Sequence, residues 1–204
     1  MLRDRASPAS RRVPYGRLMR WRTAVTGSVA GAGLYLGVAT GRVSVDLGVG
    51  RRKRALGPIE LDVAAPRGVV FDVISEPYRG RTPRAMAGKL SVLERADDLV
   101  LAEHTTPIGA GLTAITVETV RFVPPERVEF RLVRGPVPAV SESFDLTDEH
   151  GGTRLRYAGE LETDLGSVGA LWGRLVARRW IAAVDGSLRS IKDEAERRAR
   201  VGRP

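Results

Sequence analysis

Toward the end of the chain, apolar residues recur at three-and-four spacing. From Leu165 they fall at Val168, Leu171, Trp172, Leu175, Val176, Ile181, Val184, Leu188, Ile191 and Ala195. Held over roughly nine turns, that period predicts one long amphipathic helix from about Asp164 to about Arg200. The same phase puts Leu175, Val184 and Leu188 on the buried stripe and Arg189 on the polar side. Upstream the period changes to two. Ile59 to Val63, Leu90 to Glu94, Leu99 to Thr105, Leu112 to Val123, Val128 to Arg134, Val140 to Leu146 and Arg154 to Leu161 alternate and read as strands. Turn-forming clusters separate them: Ala96-Asp97-Asp98, Pro124-Pro125-Glu126 and Asp148-Glu149-His150-Gly151-Gly152. Between the first two strands, Pro66 opens a short helix over Val69, Val70, Phe71, Val73 and Ile74, and Pro77 is expected to end it. Tyr78 to Gly88 reads as a loop or a broken second helix. The fold class is α+β, an antiparallel sheet wrapped around one long C-terminal helix, with a cavity expected between the two.

Strand parity sorts the side chains by face. Val100 and Ala102 share a face with His104. Val120 and Phe122 share theirs with Ala114, Thr116 and Glu118. Val128, Phe130 and Leu132 point one way, and Val140, Phe144 and Leu146 share their face with Glu142. In the last strand Leu155, Tyr157 and Leu161 face inward. Glu118 and Glu142 therefore fall on the apolar face, with His104 a further candidate. Carboxylates there imply a polar-lined cavity or its mouth, because an isolated buried charge is costly. The alternative is a bulge that shifts the register and exposes both acids. The candidate ligand-binding residues are Phe71, His104, Glu118, Phe130, Glu142, Phe144, Tyr157 and Trp172. Trp172 and Trp180 also have the ordinary reading of helix core.

Charge changes the picture at the other end. The chain of 204 residues carries a formal net charge of +9. Residues 1–54 hold 12 Lys and Arg against Asp4 and Asp46, and the other 150 residues hold 21 bases and 22 acids. The positive charge thus belongs to an N-terminal extension and the folded part is neutral. Thr23 to Gly41 contains no charged residue over 19 positions. That length can span a bilayer. An uncleaved single-pass anchor is the leading expectation. A cleaved signal peptide, with Ser10-Arg11-Arg12 upstream and Val38-Ala39-Thr40 as a poor cleavage site, is the second. A soluble helix or hairpin is the third. The expected organisation is a basic disordered segment over 1–22, a candidate transmembrane helix over 23–41, a basic linker or edge strand over 42–57, a folded domain over 58–200 and a tail over 201–204. The run Arg51-Arg52-Lys53-Arg54 is suited to anionic headgroups or to solvent.

The absence of cysteine excludes disulfides, thiolate nucleophiles and cysteine-ligated zinc. His104 and His150 are the only histidines, too few for a three-histidine metal site. No phosphate-binding loop, serine elbow or metal-spaced motif occurs, so neither metal nor cofactor is expected and no catalytic residue is assigned. The neutral domain argues against nucleic acid as a partner.

Three features together resemble the SRPBCC superfamily, whose START-like helix-grip fold is shared by polyketide cyclase-like and lipid-transfer proteins. They are Ala65-Pro66 followed by Val70-Phe71-Asp72-Val73-Ile74, the turn Pro124-Pro125-Glu126-Arg127-Val128-Glu129-Phe130, and the terminal helix with Trp172 and Trp180. The resemblance covers about Pro58 to Ala199. It implies a cavity for a hydrophobic or amphipathic small molecule; the membrane tether is the separate expectation raised by Thr23 to Gly41. The alternatives are a cyclase- or aromatase-like enzyme using a cavity carboxylate or His104 as acid and base, and a scaffold with a collapsed pocket. The fold alone does not choose among them.

Overall fold

The computed structural model describes residues 32–80 and 86–202. The chain divides into two units between Leu36 and Gly37, and the sheet and both long helices lie in the second. Residues 1–22 and the first nine positions of the 23–41 segment, 23–31, fall outside the described residues. Residues 32–39 are helical. No helix among the described residues is long and apolar enough to cross a membrane.

Seven strands form one antiparallel sheet: β1 (Arg52–Val63), β2 (Leu90–Arg95), β3 (Leu99–Gly109), β4 (Leu112–Val123), β5 (Arg127–Arg134), β6 (Ala139–Glu149) and β7 (Gly152–Thr163). Their spatial order is β1-β7-β6-β5-β4-β3-β2. Helix α1 (Arg67–Arg79) follows β1, and helix α2 (Gly166–Val201) closes the chain. The α2 helix packs on β1, β7 and α1. Register shifts at Leu56/Ile59, Val92/Glu94, Pro107/Gly109 and Val117/Glu118 break four of the ladders. Such bulges bend strands, and here they accompany a sheet that curls around its helices. At the first of them Gly57 takes φ +85 beside the Tyr157 carbonyl, a backbone region that favours glycine.

The basic run is part of the sheet. β1 begins at Arg52, earlier than the alternation from Ile59 suggested, because residues 52–56 pair with β7. The acids of β7 and of the turn that follows supply the reason. Lys53 Nζ lies 2.6 Å from Glu160, and Arg51 donates to Asp164 at 2.9 Å and reaches Glu162 at 3.3 Å. Arg51 also pairs with Asp46. Asp164 accepts the backbone N–H groups of Leu47 at 2.6 Å and Gly48 at 3.0 Å as well. The Arg51 guanidinium, helped by those two amides, holds the Asp164 carboxyl below the usual carboxylate range. Of the basic linker or edge strand expected over 42–57, residues 52–57 are thus an edge strand. Residues 43–50, whose alternation also allowed a strand, form none.

Two expectations for the helices need correction. Pro77 does not end α1, which runs on to Arg79 with Pro77 and Tyr78 both buried. A proline in a last turn forfeits only one helical N–H, and burying two more side chains offsets that loss. On α2, Leu175 is 49% exposed, Leu171 64% and Val168 72%, so the predicted stripe is wrong in the first half of the helix. The buried positions there are Gly169, Gly173, Val176 and Ala177. A Cβ at Gly169 would stand 1.5 Å from the Asp164 carbonyl oxygen, and one at Gly173 would stand 3.0 Å from Thr163 Cγ2. Close approach to β7 requires small residues, and they push the larger apolar ones outward. In the second half the prediction holds, with Val184, Leu188 and Ala195 buried.

The contrast between halves is measurable. Leu188 is fully buried, so Leu188→Ala should cost about 2–5 kcal/mol in denaturant unfolding. Leu175→Ala should cost under about 1 kcal/mol. Comparable losses at the two positions would contradict the packing described.

Candidate functional site

The inner face of the sheet is paved with aromatic rings. Phe130 and Phe144 have centroids 5.4 Å apart, Phe144 and Tyr157 5.6 Å, and Tyr78 of α1 sits 6.0 Å from Phe130 and 6.1 Å from Phe122. Register explains the alignment. Val120 pairs Phe130, which pairs Glu142, which pairs Gly159; the neighbouring row runs Phe122, Val128, Phe144 and Tyr157. Two carboxylates are planted in this apolar paving, Glu118 on β4 and Glu142 on β6.

Glu142 is held from two sides. Tyr157 Oη donates to its Oε2 at 2.7 Å, and Trp180 Nε1 of α2 donates to the same oxygen at 2.7 Å. Gly159 makes room for it, because a Cβ there would come within 2.7 Å of Glu142 Cβ. Burial pushes the Glu142 carboxyl up to about 7, and the charge of Glu118 pushes the same way. The hydrogen bonds from Tyr157 and Trp180 and the proximity of His104 oppose that rise. Burial also raises the Tyr157 phenol, with the Glu142 charge adding to it, so the phenol remains a donor at neutral pH.

Glu118 belongs to a second chain of polar groups. Its side chain is buried, and its Oε2 lies 3.2 Å from His104 Nδ1. The contact lacks hydrogen-bond alignment, so Nδ1 is a buried polar atom with no partner among the described residues. On the other side of the ring, His104 Nε2 is 3.0 Å from Tyr78 Oη. The tautomer that turns Nδ1–H toward Glu118 leaves Nε2 to accept from Tyr78. Burial, then the charges of Glu118 and Glu142, hold the Tyr78 phenol protonated. A carboxylate, an imidazole and a phenol in line can move a proton, and any of the three can orient a polar ligand group.

The structure therefore brings together His104, Glu118, Glu142 and Tyr157 of the sequence-predicted set. Phe130 and Phe144 pave the same face, and Phe71 lies in the hydrophobic core with them. Trp172 instead donates its Nε1–H to the Pro136 carbonyl at 2.8 Å. Two residues outside the predicted set complete the cluster, Tyr78 and Trp180. The spacing Phe71, Ile74, Tyr78 along one helix face is the signal that could have found Tyr78. Surface clefts of about 200 and 400 Å³ open elsewhere. One is lined by Leu99, Thr119, Arg121, Glu129 and Arg131 on the outer face of the sheet, and the other lies around the β6–β7 turn. Neither is lined by the cluster. Among the described residues no group of three or more His, Cys, Asp or Glu could hold a metal ion.

The chain belongs to the family described as polyketide cyclase/dehydrase and lipid transport, whose model matches residues 59–196. No curated protein matches it. Solved structures share the fold. The Zhui aromatase/cyclase from Streptomyces sp. R1128 is 16% identical, with 72% of this chain and 96% of that chain covered and a TM-score of 0.60. The di-domain ARO/CYC StfQ from the steffimycin biosynthetic pathway is 18% identical over 73% of this chain and 52% of that chain, at a TM-score of 0.56. Norcoclaurine synthase from Thalictrum flavum is 12% identical over 76% and 91%, at a TM-score of 0.52. At these identities the likeness is one of fold. The helix-grip architecture expected from the sequence is what they share.

Glu142 makes stability depend on pH in a definite direction. Its folded pKa lies above the ordinary value, so between about 4.5 and about 7 the folded state keeps a proton that the unfolded chain has lost. Stability from this group should be largest at acidic pH and fall by about 1–3 kcal/mol as pH rises through that window. Glu142→Gln should abolish that component, and denaturant titrations at pH 5 and pH 8 measure it. An equal pH slope in the wild type and the variant would contradict the assignment.

Proposed function

We propose that the domain binds a hydrophobic or amphipathic small molecule on the inner face of the sheet, under α2, and that the chain is held at a membrane by its N-terminal segment. One observation carries the binding reading: acids set in an aromatic surface, Glu142 hydrogen-bonded by Tyr157 and Trp180 and Glu118 3.2 Å from His104. A purely structural core would be served as well by apolar side chains of the same volume as by two carboxylates, since each carboxylate costs desolvation. A site that must orient the polar end of an apolar ligand needs them. Ligand entry would part Trp180 from Glu142, and the ligand would take over the freed hydrogen bonds. The aromatic rings would supply the apolar contact, at roughly 25 cal/mol per Å² of ligand buried. The family's description names both cyclases and lipid transport, and is compatible with this use of the face.

A second reading is favoured by the Tyr78–His104–Glu118 chain. There the same face would act on a bound ligand as a cyclase does, with the imidazole relaying a proton between carboxylate and phenol. Aromatase/cyclase is what the Zhui structure is called.

Native mass spectrometry of the purified chain tests occupancy, and a co-purified apolar ligand is the expected result. Glu142→Gln and Glu118→Gln then separate the two readings. In a carrier, either change should weaken binding by about 1–3 kcal/mol, the usual worth of a charged hydrogen bond. In an enzyme, affinity should hold while turnover disappears. The tether predicts that full-length chain stays with the membrane pellet through high-salt and carbonate washes, whereas release by salt alone would leave only surface attachment.

A further inference from the structure

The two halves of α2 have opposite surfaces. In the second half four of the five bases are paired: Arg189 with Asp185, Lys192 with Glu196, Arg197 with Glu194, and Arg198 with Glu194 and Glu76. In the first half the solvent side carries Val168, Leu171 and Leu175, all exposed. At 100° per residue these three share a sector, with Arg174 and Arg178 along one edge and Arg179 along the other. Residues 165–184 contain no acid. Arg174, Arg178 and Arg179 form no ion pair among the described residues. The same apolar surface continues past the helix start. Leu165 is exposed and its N–H donates to the Val49 carbonyl at 2.8 Å, and Val49 and Leu47 are exposed beside it.

We propose that this face, Val168, Leu171 and Leu175 with Leu165, Val49 and Leu47, docks on an anionic lipid surface. The occupant follows from charge and position. A strip of apolar side chains edged by arginines that form no ion pair among the described residues matches the headgroup–acyl boundary of an acidic bilayer, and the exposed Asp46 beside Leu47 is paired with Arg51. A second copy of the chain would bring the same arginines against its own, which disfavours a symmetric pair. The chain also enters the domain at this face. Residues 47–50 run beside the start of α2, and in sequence they lie a few positions after the charge-free stretch 23–41 and the arginine-rich segment before it. The inference deepens the membrane reading above and rests on it only for the lipid being within reach. Docking here would lay the N-terminal half of α2 on the lipid, with Trp180 and its bond to Glu142 just beyond, so that an apolar ligand could pass between bilayer and inner face without crossing water.

The chain lacks cysteine, so single nitroxide labels at Leu171→Cys and, as a control, Arg189→Cys report locally in full-length protein. The probes are phosphatidylcholine vesicles with and without phosphatidylglycerol. With the anionic lipid, the label at 171 should become accessible to oxygen and shielded from a water-soluble nickel chelate, while the label at 189 stays aqueous. Arg174→Gln and Arg178→Gln should each weaken that transition about fivefold, as loss of one charge near an anionic surface does, without shifting the thermal melt. A label at 171 that stays aqueous on anionic vesicles would overturn the proposal. So would one shielded without lipid together with a doubled sedimentation mass, which would make the face a contact between copies. The tether is scored separately. Chain retained at high salt with an aqueous label at 171 keeps the tether and sinks the docking; a lipid-facing label on chain that salt releases does the reverse.

Discussion

One oxygen atom of Glu142 organises the interior. It accepts from Tyr157 on the sheet and from Trp180 on α2, and so ties the long helix to the middle of the sheet by a polar link. A carboxylate in that position is tolerable only when donors surround it. The surrounding sequence answers that demand. Gly159 opposite leaves the space, Tyr157 two residues earlier supplies one donor, and Trp180 supplies the other. The close seating of Gly169 and Gly173 on the end of β7 fixes where α2 starts, and Trp180 follows about two turns after Gly173. The same contact that holds helix to sheet is therefore the one most sensitive to the protonation of an acid.

Much of this was legible in the sequence, for physical reasons that can be named. A strand repeats every two residues regardless of its neighbours, so parity alone put Glu118 and Glu142 among the apolar positions, and His104 with Val100 and Ala102. The helix was visible for the same reason, since its period persists over its whole length. Its phase was not. A hydrophobic pattern weighs side chains, and where α2 approaches β7 most closely the buried residues are glycines, which have none. Val168, Leu171 and Leu175 looked like core because they are large and apolar. The structure places them outside because at Gly169 and Gly173 the helix sits too close to Asp164 and the end of β7 for a side chain.

Partnerships across long sequence separations were the other blind spot. Arg51 and Lys53 read as a solvated or lipid-facing run, yet their partners Glu160, Glu162 and Asp164 lie more than a hundred positions away. Strand pairing creates those neighbours, and no local pattern reports them. Tyr78 and Trp180 were missed as polar ligands to the cluster for the same reason. Each sits on a helix, and its hydrogen bond is to a strand that only the closed fold brings near. Conversely, Arg174, Arg178 and Arg179 of α2, with no acid near them in sequence, also form no ion pair among the described residues, so there the local reading of charge was the correct one.

The far edge of the sheet has a consequence of a different kind. β2 is the outermost strand, only six residues long, bulged between Val92 and Glu94 and ending in Glu94-Arg95. A flat, long, apolar strand in that place would offer its free backbone groups to the edge of another molecule, the route by which sheets grow into aggregates. Brevity, a bulge and charged side chains each spoil that template. β1, at the opposite edge, is covered by α2 and studded with Arg52, Lys53 and Arg54. A chain that exposes apolar surface on one helix and keeps acids in its core can thus remain dispersed, because neither border of its sheet invites a further strand.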